Sequence, residues 1–170
     1  PIPFLTSDES DLSRMRQSRF FVRAIATVLY SGYSPVAPGT AGSAVAALGY
    51  YFFCSSLTAL EWILLLFGTF SVAVYTADVM AREWGSDPGP VVIDELAGYL
   101  VSVAFLPHSV WIAVAGFFVF RAFDIVKPPP IRKLERLSGG WGIVLDDILA
   151  GVYSQLILWV LVLVVGWSEI

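Results

Sequence analysis

The sequence predicts an all-α integral membrane protein, built as a helical bundle of apolar hairpins with an amphipathic helix at its N-terminus. Hydrophobic residues make up 57% of the 170 residues, and the mean hydropathy is +0.75. Only 14% of the residues are charged, whereas about a quarter are charged in a soluble domain. Several apolar segments approach the roughly 20 residues that a transmembrane helix needs. We therefore expect residues 1–170 to form a single membrane domain.

The N-terminal residues are polar at first and then amphipathic. Residues 1–9 predict a short tail, and residues 11–30 predict an amphipathic helix whose basic side chains can lie on anionic lipid. An ordinary packing helix with a solvated basic face explains the same pattern. Residues 31–43 contain too much Gly and Pro to begin as a helix, and they end in small and hydroxyl residues before an apolar helix. The free backbone N–H groups of such a helix start suit an anion.

Two of the apolar segments have simple interpretations. Residues 42–80 predict a helical hairpin that turns near residues 55–58, where polar residues interrupt the apolar run. Residues 147–166 predict one transmembrane helix, because their length matches the hydrocarbon core of a bilayer.

The third apolar segment, residues 96–120, is long enough for one crossing, but Pro107 and His108 divide it into pieces of 11 and 12 residues. A single crossing would place its two ends on opposite membrane faces. A helical hairpin that turns at Pro107 places both ends on one face, together with the basic residues of 14–23 and 121–136. The charge distribution and the proline favour the hairpin.

Carboxylates lie at the ends of these apolar segments, where they are costly unless they are paired or bound to a cation. The six residues concerned are Asp87, Asp94, Glu95, Asp124, Asp146 and Asp147. Oxygen ligands of this kind suit Mg²⁺, which binds a few carboxylates and fills its other positions with water and substrate phosphate. The acids therefore predict a Mg²⁺ site at a membrane surface.

The first two acidic motifs also have structural explanations. Asp94 and Glu95 begin a helix, where the helix dipole favours negative charge, but this does not explain Asp87 as well. Asp124 could pair with Lys127 at the end of a helix. The functional interpretation instead gives Asp124 to a metal and Lys127 to a phosphate.

The remaining candidates leave similar alternatives open. Asp146 and Asp147 stand at the head of the last predicted helix, where one capping acid would suffice. Arg121 lies one turn before Asp124 and either assists the site or anchors the membrane interface. Asp78 lies within an apolar run, and the sequence leaves open whether it binds the metal, supports a residue that does, or has no part in the site.

Four motifs in this order resemble the phosphatidylglycerophosphatase A family, over roughly residues 25–165. They are YSPVAPGTAGS at 33–43, VIDELAG at 92–98, FDIVKPPPI at 123–131 and GIVLDDILAG at 142–151. The resemblance implies an all-helical, multi-pass, Mg²⁺-dependent phosphatase of the bacterial inner membrane, with its active site facing the cytoplasm. Its substrate would be the lipid phosphatidylglycerophosphate, hydrolysed to phosphatidylglycerol and inorganic phosphate in phospholipid biosynthesis, with membrane lipids around it.

The resemblance also implies roles for individual residues. The family's acidic residues fall on the six acids named above, and its phosphate-binding residues fall on Gly39, Thr40, Gly42, Ser43 and Lys127. Asp94, Asp146 and Lys127 are the candidate catalytic residues. Either water attacks phosphorus, or Asp94 or Asp146 forms an aspartyl-phosphate, and both schemes stay open. Pro129 stands where the family often carries an aromatic residue, which affects the packing of that turn rather than a ligand.

Other functions explain part of the pattern. An ion transporter or channel with carboxylate sites predicts charge in mid-span, whereas these acids lie at segment ends. A CDP-alcohol phosphatidyltransferase needs a spaced Asp-Gly and Gly-x3-Asp-x3-Asp pattern that is absent from this sequence. Another lipid-phosphate phosphatase stays open, because the residues alone do not name the lipid. The ten basic residues form no run suited to a nucleic acid, so we expect no nucleic-acid partner.

Overall fold

The computed structural model describes residues 7–166, and within that range it contains seven α-helices and no strand. The all-α prediction is therefore confirmed for the described residues. A short 3-10 helix, Ser31–Tyr33, lies between the first two α-helices. The α-helices are α1 (Ser7–Ala26), α2 (Pro38–Phe53), α3 (Ala59–Trp84), α4 (Ile93–Val103), α5 (Val110–Val126), α6 (Ile131–Leu134) and α7 (Gly140–Val165).

The N-terminal helix is shifted toward the N-terminus relative to its predicted range of 11–30. It begins at Ser7, inside the segment predicted as a tail, and residues 1–6 lie outside the described residues. Ser, Asp and Glu residues open this helix, and all three types are favoured in a first turn. The helix ends at Ala26, because the next turn holds three consecutive residues with positive φ, residues 28–30.

The second and third helices occupy the segment 42–80 that was predicted as a helical hairpin. Helix α2 begins before this segment, and helix α3 ends after it. Helix α2 starts at Pro38, since a proline in the first turn has the required φ and no N–H to satisfy. Helix α3 starts after a capping box. The Glu61 N–H donates to the Thr58 hydroxyl at 3.4 Å, and the Thr58 N–H donates to the Glu61 carboxylate at 2.7 Å.

The predicted segment 96–120 is interrupted on both sides of Pro107. Helix α4 ends at Val103, and α5 begins at Val110, where the Ile112 N–H donates to the Ser109 hydroxyl at 3.1 Å. His108 packs on the end of α2, with its Nε2 atom 3.0 Å from the Tyr51 carbonyl oxygen. The turn between α4 and α5 therefore lies beside the C-terminus of α2.

Helix α7 starts at Gly140, seven residues before the predicted start at 147. A Cβ atom at Gly140 would collide with the Val74 carbonyl oxygen of α3, so only glycine allows this contact. The Gly140 N–H donates to the Asp78 carboxylate at 3.3 Å, so a side chain of α3 caps α7. Asp146 and Asp147 consequently lie in the second turn of α7 rather than at its head, and a capping role does not explain them.

Helices α4 and α7 cross at close range through two glycines. A Cβ atom at Gly98 would lie 2.5 Å from the Asp147 carbonyl oxygen, and one at Gly151 would collide with the Gly98 carbonyl oxygen. Small residues let two helix backbones approach in this way. Asp94 lies one turn before Gly98, and Asp147 lies one turn before Gly151. The crossing therefore brings these carboxylates together.

The helix ends are sorted between two ends of the molecule. The starts of α2, α4 and α7 and the ends of α3 and α5 share one end, here called the acidic end because the acidic motifs lie there. The turns 54–58 and 104–109 occupy the opposite end, here called the His108 end.

Within residues 7–166, helices α3 and α7 have the length and the apolar composition needed to cross a membrane. Only 22% of the most apolar window of α3 and 28% of that of α7 is buried inside the protein. A core helix of a soluble protein would be mostly buried, so both helices present large apolar surfaces outward.

Candidate active site

Three carboxylates from two helices form the centre of the site. One oxygen each from Asp94, Glu95 and Asp147 lies within 4.8 Å of the others. Asp94 and Glu95 come from the first turn of α4, and Asp147 comes from α7. The close crossing of these helices thus assembles a group of carboxylates that can hold a divalent cation.

Several carboxylate oxygens of the site have no hydrogen-bond partner although they are buried. They are Asp94 Oδ1, Glu95 Oε2 and Asp146 Oδ1. A buried carboxylate without a partner carries a large desolvation cost. A bound cation would offset that cost, so the donor set fits a hard, oxygen-preferring ion such as Mg²⁺.

The electrostatics of α4 point to the same need for positive charge. Asp94 is buried, and its carboxylate lies close to those of Glu95 and Asp147, so their like charges would repel one another. Arg121, 3.8 Å from the Glu95 carboxylate, offsets part of this negative charge. A divalent cation between these groups would favour their ionised forms.

Lys127 lies between two carboxylates at the end of α5. Its Nζ atom donates to Asp146 at 2.6 Å and to Glu135 at 2.7 Å. Burial alone would lower the pKa of Lys127, but these two hydrogen bonds outweigh it and raise the pKa above its ordinary value. The side chain is therefore a fixed positive charge. The sequence alternative of an Asp124–Lys127 ion pair is not formed, because Asp124 pairs with Arg121 instead.

Arg121 lies against two of these acids rather than at an exposed surface. Its guanidinium contacts Asp124 and lies 3.8 Å from the Glu95 carboxylate, and its side chain is 14% exposed. A Cβ atom at Gly39 would collide with that same Glu95 carboxylate and would lie 2.9 Å from the guanidinium. The start of α2 therefore packs directly against the acidic site.

The other predicted phosphate-binding residues of α2 contact α2 itself or the segment before α4. The Ser43 hydroxyl donates to the Gly39 carbonyl oxygen at 2.8 Å. A Cβ atom at Gly42 would lie 2.7 Å from Val92, so this glycine allows α2 to pack on the segment before α4. Thr40 is half-buried in the first turn. Among these four residues of α2, Gly39 is thus the one whose described contacts reach an acid of the site.

All six predicted metal-binding acids line one cavity of about 390 Å³ at the acidic end. Asp87 is exposed there, whereas Asp94, Asp146 and Asp147 are buried. Asp78 lies outside this cavity. Its carboxylate caps α7 and forms an ion pair with Arg82 at 2.7 Å.

Glu135 is a cavity residue that the sequence interpretation missed. It lines the same cavity and holds Lys127. The only signal in the sequence was its position among the basic residues that follow the Pro128–Pro130 segment, and an acid among bases is equally typical of a solvated surface.

Comparisons with known proteins identify relatives of the chain. Residues 24–162 match the family model of phosphatidylglycerophosphatase A. A Bacteroides thetaiotaomicron protein, provisionally named a phosphatidylinositol-3-phosphatase, is 39% identical in a 160-residue alignment that covers 89% of this chain and all of the relative. Phosphatidylglycerophosphatase A of Escherichia coli K12 is 39% identical over 132 residues, covering 76% of both chains.

A third relative, phosphatidylglycerophosphatase A of Haemophilus influenzae, is 32% identical over 139 residues, covering 80% of this chain and 85% of the relative. No solved structure matches the chain. The match to the family model extends over most of the sequence and includes every acidic motif that lines the cavity. The chain therefore belongs to the phosphatidylglycerophosphatase A family.

Proposed function

We propose that the protein hydrolyses the terminal phosphate of phosphatidylglycerophosphate in a Mg²⁺-dependent reaction and releases phosphatidylglycerol and inorganic phosphate for phospholipid biosynthesis. Its family makes it an enzyme, a phosphatidylglycerophosphatase. The observation that carries the site chemistry is the cavity in which carboxylates with buried, unpartnered oxygens lie beside a lysine of fixed positive charge.

Asp94, Glu95 and Asp147 are the residues that would hold Mg²⁺, because their oxygens cluster within 4.8 Å. Asp124 and Asp146 line the same cavity and complete the set of available oxygens. The chemistry that Mg²⁺ supplies at such a site is neutralisation of phosphate charge and a lower pKa for water.

Lys127 is the residue that would receive the phosphate. Its Asp146 partner has a side chain that is 5% exposed, whereas the side chain of its Glu135 partner is 46% exposed. A phosphate can therefore replace Glu135 at lower cost, while Asp146 keeps the ammonium oriented. Arg121 would hold the carboxylates of Asp124 and Glu95 in place.

The attacking group is either water or a carboxylate. In the first scheme water attacks phosphorus, the bond from phosphorus to the glycerol oxygen breaks, and the alcohol takes a proton. In the second, Asp94 or Asp146 attacks phosphorus, the bond to the glycerol oxygen breaks, the alcohol takes a proton, and water then hydrolyses the aspartyl-phosphate; each of these acids has one unpartnered oxygen available. Acid-stable trapping of phosphorylated protein during turnover, with retention of configuration at a chiral phosphorus, supports the second scheme. Inversion at phosphorus supports the first, because a single displacement inverts the configuration.

The decisive experiment measures phosphate release from phosphatidylglycerophosphate by purified protein, with Mg²⁺ or with EDTA. We expect EDTA to abolish activity, and Asp94→Asn and Asp147→Asn each to lower kcat/KM by about 100-fold or more. Calorimetry should show weaker Mg²⁺ binding by both variants. Activity that survives EDTA and both substitutions would exclude the metal site.

A second lipid substrate is suggested by the relative from Bacteroides thetaiotaomicron, whose provisional name is phosphatidylinositol-3-phosphatase. Both lipids are phosphomonoesters, and the cavity chemistry suits either one. Parallel assays with phosphatidylglycerophosphate and phosphatidylinositol 3-phosphate separate the two. We expect kcat/KM to be at least about tenfold higher for phosphatidylglycerophosphate; the opposite order would assign the inositol lipid.

We further propose that residues 1–170 form one multi-pass domain of the bacterial inner membrane, with α3 and α7 crossing it and α4 and α5 forming a membrane hairpin. The acidic end would face the cytoplasm. The bacterial relatives and the outward apolar surfaces of α3 and α7 support this arrangement. Basic residues of α1 and α6 also lie at the acidic end, as the preference of cytoplasmic loops for positive charge predicts.

A further inference from the structure

A groove with almost purely apolar walls lies beside the acidic site. Its volume is about 400 Å³, and it is lined by the C-terminal part of α1 and its following turn, by α2 and α4, and by Leu65 of α3. Cavities that bind small ligands have volumes of about 300 to 1,000 Å³. The Tyr50 hydroxyl, one of the few polar groups of the wall, donates to the Pro107 carbonyl oxygen. The groove therefore offers an occupant apolar contacts.

The groove begins where the carboxylate site ends. Ile93 and Leu96 line the groove, and they flank Asp94 and Glu95 in the same two turns of α4. The Val92 N–H donates to the Ala26 carbonyl oxygen at 2.9 Å, which fixes the end of α1 beside the start of α4. One helix thus presents its acids to the cavity and its apolar side chains to the groove.

The length and opening of the groove fit a hydrocarbon chain. Its α2 wall extends from Val45 to Cys54, and at about 1.5 Å per residue this is about 13 Å. The same helix begins at the acidic site, so the groove leads away from that site toward the His108 end. Leu29 and Phe53 line the groove and are each 81% exposed, so its side is open to a surrounding bilayer.

We infer that this groove holds one acyl chain of the lipid whose phosphate occupies the acidic cavity. This inference rests on the proposed function, because the occupant is the substrate's own chain. A bilayer lipid could touch the same residues, but a substrate anchored by its phosphate has a far higher effective concentration in a groove that starts at that anchor. The groove thus recognises the lipid nature of the substrate.

Gly49 allows a direct test, since a Cβ atom there meets nothing within 4 Å and the residue lines the groove. Gly49→Leu adds an apolar side chain to the groove wall at a position where the Cβ atom is free of contacts, and leucine favours the helix. Gly68→Leu is the matched control, because Gly68 is also helical and open but lies on α3 outside the groove. Each variant is assayed with long-chain phosphatidylglycerophosphate and with a water-soluble analogue that carries butyryl chains.

Gly49→Leu should raise the KM for the long-chain lipid by about tenfold or more and change the KM for the short-chain analogue by less than about twofold. Gly68→Leu should change neither. Equal effects of Gly49→Leu on both substrates, or equal effects of the two variants, would overturn the inference. Failure of the wild-type enzyme to hydrolyse either lipid would instead count against the proposed function.

Photolabelling provides a readout that does not depend on turnover. The Asp147→Asn variant, for which we expect a kcat/KM about 100-fold or more below that of the wild type, is mixed with phosphatidylglycerophosphate that carries a diazirine in one acyl chain, and the labelled peptides are mapped. We expect labels in residues 45–54 and 93–100, reduced by unlabelled phosphatidylglycerophosphate but not by phosphatidylcholine. Labels that ignore both competitors, or that spread over the outer face of α3, would show ordinary bilayer contact and overturn the inference.

Discussion

At the scale of single residues, the balance of charge around Lys127 is the central feature of the site. One ammonium faces two carboxylates, of which Asp146 is buried and Glu135 is half-exposed. A buried carboxylate that loses its partner keeps its desolvation cost, while an exposed one regains water. Loss of the Lys127 ammonium should therefore cost more free energy at Asp146 than at Glu135.

We predict that Lys127→Met lowers kcat/KM by about 100-fold or more, because it removes the charge that we propose binds phosphate and leaves Asp146 unpaired. Glu135→Gln should change kcat/KM by less than about fivefold, because Gln keeps a hydrogen-bond acceptor for the ammonium. Kinetics with Mg²⁺ in excess measure both effects. Lys133→Met, at an exposed lysine of α6, is the control and should resemble the wild type.

Asp78 provides a second test at this scale, because its position outside the cavity predicts a structural role. Asp78→Ala should lower the stability by about 1 kcal/mol, the typical value of a lost helix cap, and shift Tm accordingly. Asp78→Asn keeps an acceptor for the Gly140 N–H and should keep kcat within about threefold of the wild type. A loss of Mg²⁺ affinity in Asp78→Asn would instead identify this acid as a metal ligand.

At the scale of helices, the crossing of α4 and α7 determines whether the acids meet. The two helices come from distant parts of the chain, and their backbones touch through Gly98 and Gly151. A shift of either helix by a side-chain radius would separate Asp94 from Asp147, and the proposed Mg²⁺ site needs the oxygens of these two residues close together. The glycines are thus part of the site although they bind nothing.

We predict that Gly98→Val destabilises the protein by about 1–3 kcal/mol through overpacking and lowers Mg²⁺ affinity as the helices separate. Thermal unfolding and calorimetry measure these two quantities. Gly68→Val introduces the same side chain into α3, where a Cβ atom meets nothing within 4 Å, and should leave Mg²⁺ affinity unchanged. Wild-type affinity in Gly98→Val would show that the crossing does not position the acids.

The sequence predicted the helices better than it predicted their ends. Proline at 107 and the polar turn near 55–58 interrupt apolar runs, so these breaks were visible locally. The start of α7 at Gly140 was not, because glycine normally signals a turn and the contact that favours it here comes from Val74 and Asp78 of α3. Local signals cannot report a partner so distant in the chain.

The site shows the same division. The six acids could be grouped from sequence, because unpaired carboxylates beside apolar segments need a shared explanation. The acids that pair with Lys127 could not be predicted from the sequence, since Lys127 reaches Asp146 and Glu135 only after the chain reverses direction following α5. Arg121 pairs with Asp124 one turn later on the same helix, whereas its position 3.8 Å from Glu95 depends on the packing of α5 beside α4.

At the scale of the whole molecule, the polar chemistry is concentrated at one end. The acidic end holds the cavity and the basic residues of α1 and α6, while the His108 end holds aromatic residues and turns. If α3 and α7 cross the membrane, these two ends lie on opposite faces. Charge therefore predicts the acidic end on the cytoplasmic face.

Cysteine labelling tests this topology, because Cys54 is the only native cysteine. In a Cys54→Ser background, Ser138→Cys at the acidic end should react with a membrane-impermeant maleimide only after the cells are opened. Ser56→Cys at the other end should react in intact cells whose outer membrane is permeabilised. Both serines are exposed in the folded protein. Labelling of the two positions from the same side would exclude the proposed arrangement.

The gathering of every site carboxylate at one end has a practical consequence for reconstitution. If the protein is inserted into sealed vesicles in both orientations, added substrate and Mg²⁺ would reach only the sites that face outward. The sites that face inward would be inactive in the assay. Detergent should release this hidden activity without any change in KM. The ratio of activities before and after permeabilisation would then report the sidedness of insertion, so the enzyme would act as its own orientation marker.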